Sequence, residues 1–413
     1  MNMKSFVNSH TEDDAGIVMS KVPEVTIYFW IIKVLCTTVG ETASDFLNVN
    51  LNLGLTYTSL VMGAILAGVL FFQFILKKYT PGVYWLTVVL VSIFGTLVTD
   101  NLSDNLHVPL EYSTVVFTAI LAATFAGWYA LEGTLSIHSI FTRRREAFYW
   151  LAILFTFALG TAAGDLMAES LGLGYFTTGI IILALIATFT IAWRTGLNTI
   201  IAFWFIYILT RPLGASLGDF LTQTKEHGGI GLGATTTSLI FAAAIVVTVV
   251  YLAMSHKDVM IDPVMEEEED DANAKNTSWQ LVIVMVLLLI FSVAGYSWRH
   301  QQLQLEERTT AGTQLAAPET QTSLLGDLSV FKTIAQDLYN AVKKGEVANA
   351  NRFADDLEFE WDKAEARLKP KNPVTWTKVD DAIDKVLRRI RSNAPSHQDL
   401  EAIQTLLSIL NNT

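Results

Sequence analysis

The chain is short of charge and of cysteine. Charged residues make up 16% of its 413 positions and hydrophobic ones 51%, whereas a soluble domain carries about 25% charged residues. Together with a mean hydropathy of +0.39, this excludes an ordinary soluble globule and indicates a polytopic membrane protein. The single cysteine, Cys36, excludes an intramolecular disulfide framework. A His-Glu-x-x-His pair, a nucleophile elbow and a phosphate loop are all missing, so an enzyme is not expected. No cleavable signal peptide is evident, because the N-terminal stretch is polar and carries Glu12, Asp13 and Asp14. The first apolar span, from near Val25, would serve as the insertion signal. The net charge of −12 lies largely outside the apolar runs, in the acid run Glu266 to Asp271 and the C-terminal region, which argues against a nucleic-acid partner.

What the chain does have is a fourfold internal repeat. An aromatic pair is followed ten residues after its Trp by Gly and five residues later by Asp: Phe29-Trp30, Gly40, Asp45; Tyr84-Trp85, Gly95, Asp100; Tyr149-Trp150, Gly160, Asp165; Phe203-Trp204, Gly214, Asp219. Self-similarity of this kind marks a repeated supersecondary unit. Each unit places one acid inside an apolar segment, where an ionisable group is costly and by default functional.

Apolar runs of spanning length, about 20 residues, fall near 24–47, 55–76, 83–102, 113–137, 148–169, 175–193, 199–221, 234–254 and 279–298. The expected fold is all-α: four two-helix repeats giving eight transmembrane helices, a ninth transmembrane helix, and a C-terminal extracytoplasmic helical bundle. Lys77-Lys78, Arg143-Arg144-Arg145, Arg194, and Lys257 with Lys275 follow the even spans, so those loops and the N-terminus are expected in the cytoplasm. The domains then read as a cytoplasmic tail 1–23, the repeat domain 24–256, an acidic cytoplasmic linker 257–278, the ninth helix 279–298, a linker 299–323 and the bundle 324–413. Helical patterns in the bundle cover about 324–344, 346–368, 374–392 and 396–410, the third with the stripe Val379, Ile383, Val386, Leu387 and Ile390. Ser396 and Asp399 open the fourth as a relative of the capping box.

The motif Trp residues are expected in an aromatic belt at the cytoplasmic interface. Fifteen residues of helix rise about 22 Å in a hydrocarbon core about 30 Å thick, which sets Asp45, Asp100, Asp165 and Asp219 a turn or two inside the outer face. Repeats inserted with one orientation would gather these carboxylates around a shared vestibule, as acidic rings do in cation pores; capping at a helix end is the plain alternative. The motif Gly suits close helix contact or a local break. Four residues beyond the Asp positions stand Val49, Asp104, Glu169 and Gln223, and Glu41 follows the first motif Gly. Oxygen ligands without Cys or Met clusters suit hard cations or protons, so Asp45, Asp100, Asp165, Asp219, Glu41, Asp104 and Glu169 form the candidate metal set. Lys33 and Arg211 break the apolar pattern. Lys33 can snorkel; Arg211, deeper, needs a buried acid, with Asp219 or Glu41 as partner. Glu132 in the fourth span is a further charge-pairing or proton-carrying candidate. The hydroxyls Thr56, Thr58, Ser113, Thr114, Thr177, Thr178 and Thr235 to Thr237 are expected to cap the even helices.

The stretch Lys21-Val22-Pro23-Glu24-Val25-Thr26 with Phe29-Trp30, Lys33, Thr37-Thr38 and Gly40-Glu41 resembles the opening repeat of a bacterial family of uncharacterised multi-pass membrane-anchored proteins with four copies of a repeat of unknown function. The resemblance covers about 21–256 and implies a helical membrane fold, in a bacterial inner membrane; counting nine spans from a cytoplasmic N-terminus puts the C-terminal domain in the periplasm or outside the cell. The second to fourth copies lack the equivalents of Lys33 and Glu41. In the tail, Phe359-Glu360-Trp361-Asp362 and Trp376-Thr377-Lys378-Val379-Asp380 are similar to extracytoplasmic helical modules attached to some bacterial metal-transport proteins. Two readings follow. One is a transporter or channel for a small hard cation, manganese or magnesium first, with proton coupling allowed. The other is a membrane-anchored sensor or scaffold whose outer bundle binds a partner or ligand. The expected partners are the lipid bilayer, a small divalent cation as substrate, and a second copy of the chain as a homo-oligomer; no tightly bound cofactor is expected.

Overall fold

The computed structural model describes residues 20–50, 53–106, 108–225, 229–259, 324–369, 371–392 and 397–413, with isolated positions between 295 and 305. Almost all of the ninth span, residues 260–278 of the acidic linker, Ser396 and almost all of 299–323 lie outside the described residues. Among those described, all regular structure is helical.

Eight helices build the repeat domain: α1 (Ile27–Asp45), α2 (Leu55–Ile75), α3 (Pro81–Asp100), α4 (Leu110–Glu132), α5 (Arg143–Asp165), α6 (Tyr175–Arg194), α7 (Thr199–Thr222) and α8 (Ala234–Ser255). Their starts follow local chemistry. Pro81 opens α3, where its missing N–H costs nothing. The Thr142 hydroxyl accepts the Arg145 N–H, and the Asn198 side chain accepts those of Ile200 and Ile201. The even helices are not capped by the hydroxyls expected to do so. Gly54, Pro109, Gly174 and Gly233 occupy the cap positions, the three glycines with φ near 74°, a region that bars a Cβ. Thr58, Ser113, Thr178 and Thr237 stand inside the first turns and are buried, one turn too late to cap.

The odd helices form a closed inner ring in which α1 packs on α3, α3 on α5, α5 on α7 and α7 on α1. Each even helix packs chiefly on the odd helix of the following repeat: α2 on α3, α4 on α5, α6 on α7 and α8 on α1. The repeats are therefore interlocked, not self-contained hairpins. Burial divides the helices accordingly: 56–67% of an apolar 18-residue stretch of the spans of α3, α5 and α7 is buried, against 17–22% in the even helices. The even helices turn Leu60, Phe71, Val116, Leu183 and Val247 outward, an apolar surface suited to lipid. Among the described residues seven helices, α2 to α8, are long and apolar enough to cross a membrane; α1, which carries Lys33, Glu41 and Asp45, is not among them.

The motif glycines lock the ring. A Cβ on Gly40 would fall 1.8 Å from Ser92 Oγ, one on Gly95 2.7 Å from Phe157 Cβ, one on Gly160 2.6 Å from Arg211 Cβ, and one on Gly214 2.0 Å from Thr37 Oγ1. Thr37, Ser92, Phe157 and Arg211 each stand seven residues after their own motif Trp, so one contact is made four times around the ring. Close packing is thus what these glycines provide.

Residues 20–22, at the end of the N-terminal tail, are packed against the repeat domain. Lys21 is only 5% exposed, and its Nζ donates to Glu146 Oε2 at 2.5 Å while Gln73 Nε2 donates to Glu146 Oε1 at 3.1 Å. Composition hid this, because a Lys beside polar residues reads as solvated tail. Removing one member of a buried pair leaves an uncompensated charge, which costs about 3–5 kcal/mol. K21M alone should therefore lower thermal stability sharply, whereas K21M/E146L should recover most of it. A K21M protein as stable as the wild type in a thermal-shift assay would contradict the pairing.

At the other end of the chain, α9 (Ser329–Lys344), α10 (Val347–Leu368), α11 (Pro373–Ser392) and α12 (His397–Asn412) enclose a separate core in which Trp361 stacks on Trp376, ring centroids 3.8 Å apart. Val379, Ile383, Val386, Leu387 and Ile390 are all buried in it. Helix α10 rests on residues 166–170 and α11 on residues 46–50, which places this unit over the Asp ends of α5 and α1.

Candidate functional site

Positions three, seven, eleven and fifteen after each motif Trp fall on one helical face, and the ring turns that face inward in layers. The first layer is the aromatic pairs. Trp85, Trp150 and Trp204 are buried, and the rings of Trp30, Phe29, Trp85, Tyr84, Trp150, Tyr149, Trp204 and Phe203 touch in succession and close back on Trp30, centroids 5.1–6.4 Å apart. The expected interfacial belt is instead a collar inside the ring, because four equivalent aromatics on ring-facing positions meet one another before they meet lipid. The hydroxyls of Tyr84 and Tyr149 hydrogen-bond across it.

One turn further, Lys33 does not snorkel to the edge. It is 1% exposed, with Nζ 3.8 Å from the Phe157 ring centroid and 4.1 Å from that of Tyr207, a cation–π seat, and among the described residues Nζ has no hydrogen-bond partner. Beyond it Arg211 pairs with Glu41, one of the two acids foreseen, and the same nitrogen, Nη2, donates to Thr96 Oγ1 at 2.5 Å. Thr96 escaped the sequence reading. The repeat contains the signal, since Thr96 occupies in the second copy the place of Glu41 in the first, eleven residues after the Trp.

The outermost layer holds the acids. Carboxylate oxygens of Glu41, Asp45 and Asp219 lie within 4.8 Å of one another. Asp100 and Asp165 stand outside that group, yet each lies in the electrostatic field of Glu41. All four motif Asp residues are half-buried. In three copies the α-helix stops at this residue and continues as a π-helical turn, at Phe46–Asn50, Asn101–Asn105 and Leu166–Ser170. Such widened turns concentrate at functional sites. No residue type announces them, and in the fourth copy α7 runs on through Asp219 to Thr222.

Asp104 and Glu169 lie on these turns, toward the bundle. The Ser103 hydroxyl donates to Asp104 at 2.7 Å and the Tyr175 hydroxyl to Glu169 at 2.7 Å. Facing them across the contact with α10 and α11 are Glu365, Asp380 and Lys369, within electrostatic range. Burial, reinforced by the neighbouring Glu365 carboxylate, pushes Asp380 up to about 6. Of the acids along α10, Asp355 and Glu358 are paired with Arg391. Glu132 stands apart from these acids, at the other end of its helix from the π-helical turns. Helix α4 ends at left-handed Gly133, sooner than hydropathy suggests, so Glu132 sits in its last turn and is clamped by Arg144 and Arg145. It serves as an end-of-helix ion cluster.

Fold and site together define an all-α membrane protein built from four tandem two-helix repeats whose inner ring carries buried charge. The chain belongs to the family described as Repeat of Unknown Function (DUF347), whose model matches four times, at residues 28–79, 83–134, 148–196 and 202–258. No curated protein and no solved structure matches it.

Proposed function

We propose that the repeat domain carries a small hard cation across a membrane, with Glu41, Asp45 and Asp219 as its binding site. The observation that carries this reading is the approach of three carboxylates to within 4.8 Å inside a mainly apolar helical ring. Three anions that close, at low dielectric, repel one another strongly unless positive charge compensates, and Arg211 supplies only one unit. An oxygen-only donor set favours manganese or magnesium over softer metals. Eight helices including α1 cross the membrane, even-helix loops rich in Lys and Arg lie in the cytoplasm, and a ninth crossing carries the bundle to the outer side. The membrane is the inner membrane of a bacterium. The aromatic collar closes the ring on the cytoplasmic side, while Asp104, Glu169 and the acids of α10 and α11 extend the cation path outward.

Purified full-length protein in liposomes should accumulate radioactive manganese above protein-free liposomes, and unlabelled magnesium or manganese should compete. Equal accumulation with and without protein, for every divalent cation tried and in both gradient directions, would overturn the reading in favour of a scaffold whose bundle binds a partner.

A further inference from the structure

Glu41 belongs to two groupings at once. It is one of the three clustered carboxylates, and it accepts the guanidinium of Arg211. Arg211 is 0% exposed, and among the described residues only its Nη2 is engaged, by Glu41 and Thr96, while Nη1 and Nε find no hydrogen-bond partner there. A guanidinium fixed for structure alone uses its fork, with two parallel donors to one carboxylate. Here two of the three nitrogens remain without acceptors in a buried position, where an unmade hydrogen bond is expensive. The arrangement is local to one repeat. At the equivalent place the other copies have Thr37, Ser92 and Phe157, all uncharged. The cation therefore does not serve the ring contact, which neutral side chains make three times over.

Resting on the cation reading above, we propose that Arg211 is the tethered cation of the empty site, competing with the transported ion for Glu41. When the ion binds, Arg211 must give up Glu41, because a divalent ion and a guanidinium on one carboxylate repel; when the ion leaves, Arg211 closes on Glu41 again. The carboxylate is never left uncompensated in the ring, and the ion has a displacing group that helps it depart. Lys33, one layer toward the collar, lies in the field of Arg211 and opposes its retreat in that direction.

Calorimetric titration of the purified full-length protein with manganese chloride tests this. R211Q removes the competitor and should bind manganese at least about tenfold more tightly than wild type. R211K keeps a charge but neither the fork nor the reach, and should fall between the two. Affinity in R211Q equal to or weaker than wild type would overturn the competition while leaving the cation site standing. Absence of manganese binding in wild type and R211Q alike would overturn the cation reading itself, and this proposal with it. If R211Q does not fold, R211K decides: tighter binding supports competition, and unchanged or weaker binding refutes it.

Discussion

Replacing Asp219 with Asn should lower manganese affinity by at least about 100-fold, since even groups that only support a metal ligand are worth about 10- to 100-fold. D45N should do the same, and D100N and D165N, outside the cluster of three carboxylates, should cost less. E41Q is the weaker test despite its central position. It would strand the Arg211 guanidinium in a buried site, a penalty of about 3–5 kcal/mol, so lost binding and lost folding would be confounded. D219N changes no such pair, and its melting temperature should stay near wild type. Calorimetric titration beside a thermal-shift measurement separates the two effects; an affinity within about threefold of wild type in both D45N and D219N would remove these carboxylates from the site.

The second large effect is steric. Gly214 to Leu should prevent the ring from closing, because even a Cβ there would lie 2.0 Å from Thr37 Oγ1 and 3.0 Å from the Thr37 backbone. A hydroxyl can rotate away, but the backbone atom obliges α1 to shift as a body. Overpacking costs about 1–3 kcal/mol for small additions, so G214A should already be destabilised and G214L should fail to yield a monodisperse protein. Gly68 on α2 is the control. A Cβ there meets nothing within 4 Å, and G68A should be neutral or stabilising by about 0.5–1 kcal/mol, the helix-interior difference between the two residues. Size-exclusion profiles and thermal midpoints in detergent report both. A G214L protein indistinguishable from G68A would mean that the ring contact has been misassigned.

Much of this architecture was legible in the chain because a membrane core writes its periodicity strongly. Helices expected at 55–76, 175–193, 199–221 and 234–254 are found at Leu55–Ile75, Tyr175–Arg194, Thr199–Thr222 and Ala234–Ser255. Arg211 could be matched to a buried acid from cost alone. Other features depend on information that residue types do not carry. Whether α2 packs on α1 or on α3 is a property of the closed ring, since both partners are equally apolar. Hydropathy cannot see that Gly133 ends α4, which is why Glu132 was counted inside a span. The π-helical turns after Asp45, Asp100 and Asp165 are a choice of backbone hydrogen bonding, and they re-aim residues that straight helices would have set on one even face. The burial of Lys21 rests on Glu146, a partner 125 positions away, beyond any local pattern.

The central claim is that one divalent cation is held jointly by Glu41, Asp45 and Asp219. It is tested most directly by locating manganese in an experimental structure of the full-length protein through its anomalous scattering. The account predicts one strong peak within coordination distance of carboxylate oxygens of all three residues, with the Arg211 guanidinium withdrawn from Glu41. A peak ligated elsewhere, or no peak at manganese concentrations that saturate binding in solution, would contradict it.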